Sequence, residues 1–435
     1  MSAKSLLFGL LAFSSAAQAD PSALEQRLNA LEEEVRALRE QIAAEKKAAP
    51  PDTSVVIASE TGFVMKSGDG NFQLKLGGLV QADTRFYFED HDTASDTFLI
   101  RRARPIIEAT LFRDFSFRLM SEFGSGSTTL LDAYTEWKHW PWLTLRGGKF
   151  KPPIGLEALQ NDPDRLFAET AFPTALVPNR EIGFQLAGNW GDGLLSYAIG
   201  VFNGTVDGSS SGDFDVGDNK DVAARLFMYP FRKTDLPALR GLGIGVGGSI
   251  GDQETTATST NLPVYRTPGQ QTFFAYRAGV APDGEHYRLA PQASYFWGPV
   301  GLIGEYTATE QKVSIAGATD RLRHRGWQVA GSWILTGEDA TFTGVNPKRP
   351  FDLKTGQWGA FELVARYQEF DADDDSFPTF ADPSRSASEA RGWGVGLNWY
   401  LNRNVRSVLD YEQTEFDGAG RPTEKVFFTR LQLKF

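Results

Sequence analysis

Residues 71–88 read NFQLKLGGLVQADTRFYF, and the even-numbered positions carry nearly all the apolar surface. Phe72, Leu74, Leu76, Val80, Ala82, Phe86 and Phe88 share one face of an extended chain; Asn71, Gln73, Lys75, Gln81, Asp83 and Arg85 share the other. Side chains alternate along a strand, so a period of two specifies one greasy side and one wet side. The stretch is several times longer than the usual strand of about 5–6 residues. Length and two-facedness together suit a closed barrel with lipid outside and water inside. A long strand in a large soluble sandwich is the competing reading.

The same alternation recurs to the last residue. Strands are expected at 71–88, 98–112, 115–123, 130–138, 143–151, 181–190, 194–203, 221–230, 242–251, 286–297, 300–310, 323–335, 357–369, 389–401, 405–416 and 424–435. The count of about 16 is even, which returns the last strand to the first. The expected fold is therefore all-β, a 16-stranded antiparallel transmembrane β-barrel over 71–435. Arg113-Asp114, Gly191-Asp192-Gly193, Gly298-Pro299 and Asn402-Arg403-Asn404 read as short turns facing the periplasm, and the polar stretches 89–97, 204–220, 252–285 and 370–388 as outward loops. Segment 336–356 is too long for a short turn and fits this count least well.

Composition agrees. The 435 residues are 41% hydrophobic, and no apolar run is long enough for a membrane-spanning helix. A barrel can cross lipid with this ordinary apolar content, because half of each strand faces water. The 44 glycines and 12% aromatic residues suit many turns and aromatic girdles. With no cysteine and four scattered histidines, no thiolate or histidine metal site is expected, and no cofactor. The net charge of −11 argues against a nucleic-acid partner, and it means that any preference for anions must come from local placement of Arg and Lys.

The N-terminus carries Lys4, an apolar core from Leu6 to Phe13 and Ala17-Gln18-Ala19, the pattern of a secretory signal over 1–19. Leu24, Leu28, Leu31, Val35, Leu38 and Ile42 then form an a/d seam on a charged helix, a short coiled coil within 20–47. It is expected to self-associate, since a helix this short is marginal alone; an amphipathic helix lying on the barrel is the plainer alternative. A linker spans 48–70.

Alternation assigns faces to the charged residues. Lys75, Arg85, Arg102, Arg104, Glu108, Arg118, Glu122, Asp132, Glu136, Lys138, Arg225, Arg288, Arg366 and Arg430 point into the lumen, while Arg101 falls on the lipid side near the rim, where it can snorkel. Strand 143–151 is ambiguous: either Lys149 and Lys151 or Arg146 and Phe150 face the pore. Segment 152–181 has five prolines and no alternation; folding inward, it would narrow the lumen and bring Lys151, Arg165 and Arg180 there. Arginine suits an oxyanion path, because its planar fork makes paired charged hydrogen bonds and keeps its proton. Structural pairing of the same arginines with Asp and Glu is the competing reading. No catalytic constellation is present, so no enzymatic activity is expected.

LKLGGLVQAD at 74–83, IRRAR at 100–104, GGKFKPPIGLE at 147–157, PNREIG at 178–183, LTGE at 335–338 and GVGLNWYLNRN at 394–404 resemble the phosphate-selective porin O and P family. The resemblance covers roughly 71–435. It implies a homotrimer in the outer membrane, loops folded into each pore, and arginines feeding a narrow site for small anions such as phosphate or polyphosphate. Lys75 matches a lumenal lysine of phosphate-specific members, Arg101 and Arg102 their paired arginines, and Asp132 a constriction carboxylate. Three cations of that pattern are replaced, by Leu79, Ala158 and Thr170. The terminal Phe435 on an alternating strand resembles the signal read by the outer-membrane assembly machinery. The alternative function is a general or cation-preferring porin whose periplasmic coiled coil tethers the outer membrane to the cell wall.

Overall fold

The computed structural model describes residues 26, 29–40, 54–60, 62–88, 94–124, 126–212, 218–254 and 262–435. The expected signal segment lies outside them, as do both ends of the coiled-coil seam. Residues 29–40 are helical, with Leu31, Val35 and Leu38 exposed. No described helix is long and apolar enough to cross a membrane.

Two short strands come first, β1 (Val55–Ser59) and β2 (Gly62–Lys66). The barrel then begins with β3 (Phe72–Phe88), β4 (Thr97–Leu111), β5 (Phe115–Glu122), β6 (Thr129–Trp140), β7 (Leu143–Phe150), β8 (Glu181–Trp190), β9 (Leu195–Phe202), β10 (Asp221–Met228) and β11 (Leu242–Glu254). A small separate hairpin, β12 (Val264–Arg266) and β13 (Thr272–Ala275), lies in the next loop. The barrel resumes with β14 (Ala281–Trp297), β15 (Val300–Ile315), β16 (Ala318–Ile334), β17 (Ala360–Asp371), β18 (Glu389–Tyr400), β19 (Val405–Asp417) and β20 (Glu424–Lys434). Sixteen strands, β3–β11 and β14–β20, pair antiparallel with their neighbours, and β20 pairs back onto β3. The barrel is closed and leaves none of these strands as a free edge.

The seam shows why the two ends of the sequence belong together. Gln81 lies opposite Gln432, Asp83 opposite Arg430 and Arg85 opposite Phe428, while Val80, Ala82 and Phe86 lie opposite Leu433, Leu431 and Phe427. The faces are in phase, so apolar pairs meet lipid and polar pairs meet the lumen. Arg430 holds Asp83 through two bonds of 2.7 and 2.6 Å, and the two glutamines bond at 2.6 Å. Beyond the seam, β3 continues past the end of β20 and pairs with β2, so part of the expected linker is a hairpin that extends the same sheet. Gly77 and Gly78 make the junction. Gly78 and Phe435 exchange backbone bonds of 3.0 and 3.1 Å, and a Cβ on Gly77 would lie 2.7 Å from the Phe435 carbonyl oxygen. Only a bare backbone admits the chain there.

The wall is uneven. β5, β7, β9 and β10 have 8 residues each, whereas β14 and β16 have 17 and β15 has 16. The lumen is not open, because several segments fold into it. Segment 151–180 crosses it, with Ile154, Leu156, Phe167, Phe172 and Leu176 buried. The expected outward loops also turn in: Tyr265, Phe273 and Phe274 pack on Phe370 and Leu176, because these polar stretches carry aromatic side chains that water would expose. At the opposite end, where the short turns lie, the long 336–356 segment folds back, and Ala340 and Val345 pack on Ile334, Ala360 and Tyr400.

Candidate lumenal ion pathway

A loop without secondary structure must find partners for its backbone groups once it leaves water. The wall of β15–β20 supplies them to segment 151–180. Glu305 accepts from the Leu156 and Glu157 amides at 2.6 and 3.2 Å, Asp410 from Ala168 at 2.7 Å, and Gln368 from Phe172 at 2.8 Å. In the other direction Arg406 donates to the Arg165 and Leu166 carbonyls at 2.7 and 2.9 Å, Arg430 to Ala168 at 2.7 Å, and Arg366 to Glu169 at 3.0 Å. Arg366, Arg406 and Arg430 thus anchor the loop. Arg288 plays a similar part for the next loop, bonding Asp207 at 2.6 Å and the Thr205 carbonyl at 2.6 Å. Among the described residues Arg225 hydrogen-bonds only Gln292, at 2.8 and 3.0 Å, with its guanidinium over Phe227.

The opposite wall, β3–β7, faces a cavity of about 980 Å³ that opens between segment 159–164 and segment 338–348. A chain of charges runs along it. Lys75 pairs with Glu108 at 3.3 Å, Glu108 with Arg118, Arg118 with Asp132 at 3.1 Å, and Asp132 with Arg180 at 3.1 Å. Arg146 pairs with Glu136 at 2.6 Å. The ambiguity over 143–151 is resolved at Arg146 and Phe150, which face inward; Arg146 lies over the Tyr134 and Phe150 rings. Lys149 is buried beside Ala133 and Ile182. Lys151 lines the cavity and donates to the Gln160 carbonyl at 2.7 Å. Burial, then the neighbouring Arg180, pushes its ammonium well below the ordinary lysine value.

Two loop carboxylates meet the wall arginines. Asp162 binds Arg102 at 3.3 Å and also Arg104 and Arg165. Glu169 binds Arg101 at 2.6 Å, Arg85 at 3.1 Å and Arg430 at 3.6 Å. Burial alone would raise both carboxyls, but it is outweighed at Asp162 by Arg102, Arg165 and Arg104, and at Glu169 chiefly by Arg101. Both are held below the usual carboxylate range. Even so, the Nε–H groups of Arg85, Arg102 and Arg165 are buried with no acceptor among the described residues.

Arg101 corrects the expected lipid-side placement. Gln81 pairs with Arg102, and the next residue, Ala82, pairs with Ile100, so Arg101 is the extra residue of a bulge. The bulge interrupts the alternation, and Arg101 and Arg102 both turn to the lumen. Sequence reading also missed Asp162 and Glu169, since it followed only the cations of this loop. Of the three replaced positions, Leu79 lines the cavity and is buried, Ala158 packs among Phe150, Ile154 and Val177, and Thr170 is half-buried.

A closed 16-stranded barrel, apolar outside and charged within, with a loop folded across its lumen, defines an outer-membrane porin: a channel, not an enzyme. The profile of the phosphate-selective porin O and P family matches residues 72–435, and the chain belongs to that family. Porin O of Pseudomonas aeruginosa is 24% identical over 441 aligned positions, covering 88% of this chain and 92% of that one. Among solved structures, the outer membrane channel DcaP of Acinetobacter baumannii superposes with a TM-score of 0.54 at 11% identity, covering 86% of this chain and all of that one. An anion-selective porin from Comamonas acidovorans gives 0.51 at 13% identity, with 84% and 100% covered. These two likenesses concern the fold.

Proposed function

We propose that this porin passes small anions by diffusion, with phosphate as one of them. The observation that carries the reading is the charge of the cavity. Nine basic and seven acidic residues line it, in a chain whose net charge is −11. Local placement therefore reverses the sign of the whole molecule. Lys75, Arg104, Arg118, Lys151 and Arg180 line the path, with Asp132 bridging two of them; Arg85, Arg101, Arg102 and Arg165 do not line it, and the Nε–H of Arg85, Arg102 and Arg165 has no acceptor among the described residues. An anion steps between such groups by exchanging part of its hydration for charged hydrogen bonds. Leu79 and Ala158, apolar where phosphate-specific members carry cations, favour a general anion pore over a tight phosphate site. Liposome swelling with anionic, neutral and cationic solutes of matched size tests this. Faster entry of the anions is expected; faster entry of the cations would reject it and favour the cation-preferring alternative.

The same reading includes a homotrimer, supported by the uneven wall. An 8-residue strand tilted by about 40° gives roughly 20 Å of height, less than the apolar band of about 25 Å. The low side carries an apolar groove on its outer face, lined by Phe115, Trp137, Leu145, Phe184, Leu186 and Val222. Packing against neighbouring barrels would shield this side from lipid, and the helix at 29–40 would add a self-associating seam. Leu186→Arg should give monomers by native size measurement; an unchanged trimer would exclude this face.

A further inference from the structure

Asp162 is held as a bound oxyanion would be. One oxygen meets Arg102 and Arg165, the other meets Arg104, and the residue is 6% exposed. Arg102 also donates to Gln81 at 2.7 Å and Arg104 to Glu122 at 2.6 Å, yet the Nε–H groups of Arg102 and Arg165 are left buried with no acceptor among the described residues. The group of donors is therefore larger than its occupant. A tetrahedral oxyanion, with four oxygens, matches it better. Asp162 and Arg104 line the cavity, so an anion arriving there meets the cluster from its open side.

We propose that Asp162 is a tethered competitor: it fills an oxyanion site made by Arg102, Arg104 and Arg165, and so keeps free tetrahedral oxyanions from binding there tightly. This rests on the anion-pore reading and deepens it, since it names the residue that sets how strongly the pore retains its substrate. A pore needs weak retention, because an anion bound tightly would block the path. The loop carboxylate would supply that weakness without removing the arginines that attract the anion.

The test uses the purified full-length protein in planar bilayers, with chloride carrying the current and inorganic phosphate, then sulfate, titrated in. Asp162→Asn keeps the shape of the side chain and removes its charge. Its half-blocking phosphate concentration should fall about tenfold or more relative to wild type, the effect of one charged hydrogen-bond pair. Asp162→Ser is the second variant and should shift in the same direction. An unchanged or raised half-blocking concentration overturns the proposal. Failure of both variants to form conducting channels overturns it too, since Asp162 would then be a structural pin. The wild-type zero-current potential separates this from the reading beneath it. A cation-preferring wild type whose Asp162→Asn variant gains the block leaves the competitor standing and removes the anion pore. An anion-preferring wild type with no change in the variant does the reverse.

Discussion

Lys151 is the cavity cation whose charge depends most on its surroundings. It is half-buried, sits near Arg180, and bonds a carbonyl rather than a carboxylate. Its ammonium therefore loses its proton as pH rises at a value below the ordinary lysine value of about 10.4. Because deprotonation removes a positive charge from the path, anion preference should weaken with rising pH in that range, and Lys151→Gln should flatten the dependence. Zero-current potentials recorded from acid to alkaline pH check this; an equal dependence in both proteins would place the titration elsewhere. The arginines keep their charge throughout. At this scale the sequence was legible wherever alternation held: Lys75, Arg85, Arg102, Arg104, Arg118 and Asp132 face inward. It failed at Arg101, because a bulge adds one residue with no compositional mark in IRRAR. It also failed at Asp162 and Glu169, whose partners lie across the lumen and are linked to them by no periodicity.

Element by element, all 16 barrel strands lay where the period of two placed them, because lipid on one side and water on the other impose the pattern on each. What alternation could not reveal were pieces with a different reason to form. The hairpin β1–β2 is short and mostly exposed, with only Phe63's neighbours Gly62 and Val64 buried, so its pattern is faint. The inward turn of the loops around Tyr265 and Phe273 follows from aromatic packing. β15 and β16 run longer than expected, to Ala316-Gly317, where two residues of positive φ close a tight hairpin, and β14 starts earlier, at Ala281. The junction of β3 with the last strand gives a prediction at this scale. Gly77→Val puts a side chain where the Phe435 carbonyl lies 2.7 Å from an added Cβ, forcing a backbone shift that costs about 1–3 kcal/mol. The closed, heat-modifiable form should lose thermal stability on gels, whereas Gly70→Ala, with nothing near its added Cβ, should not match that loss through crowding. Unchanged stability in Gly77→Val would show that the junction is not needed for closure.

For the whole molecule, the balance of charge is the central physical question. The chain is acidic, but its acidic residues are not spread evenly. Inside the barrel most carboxylates pair with arginines, and removing one partner of such a buried pair typically costs about 3–5 kcal/mol, so these networks also hold segment 151–180 across the lumen. On the proposed reading, structural pairing and an anion path are not rivals: Asp132 and Glu169 pin the loop to the wall while the surplus of basic groups sets the sign of the cavity. Family membership and the fold establish a porin, and the direction of its preference rests on that surplus. The zero-current potential of the purified wild-type protein in a planar bilayer under a potassium chloride gradient reads this sign directly. The account predicts a potential displaced toward the chloride equilibrium value; displacement toward the potassium value would mean that the lumenal carboxylates prevail and would contradict it.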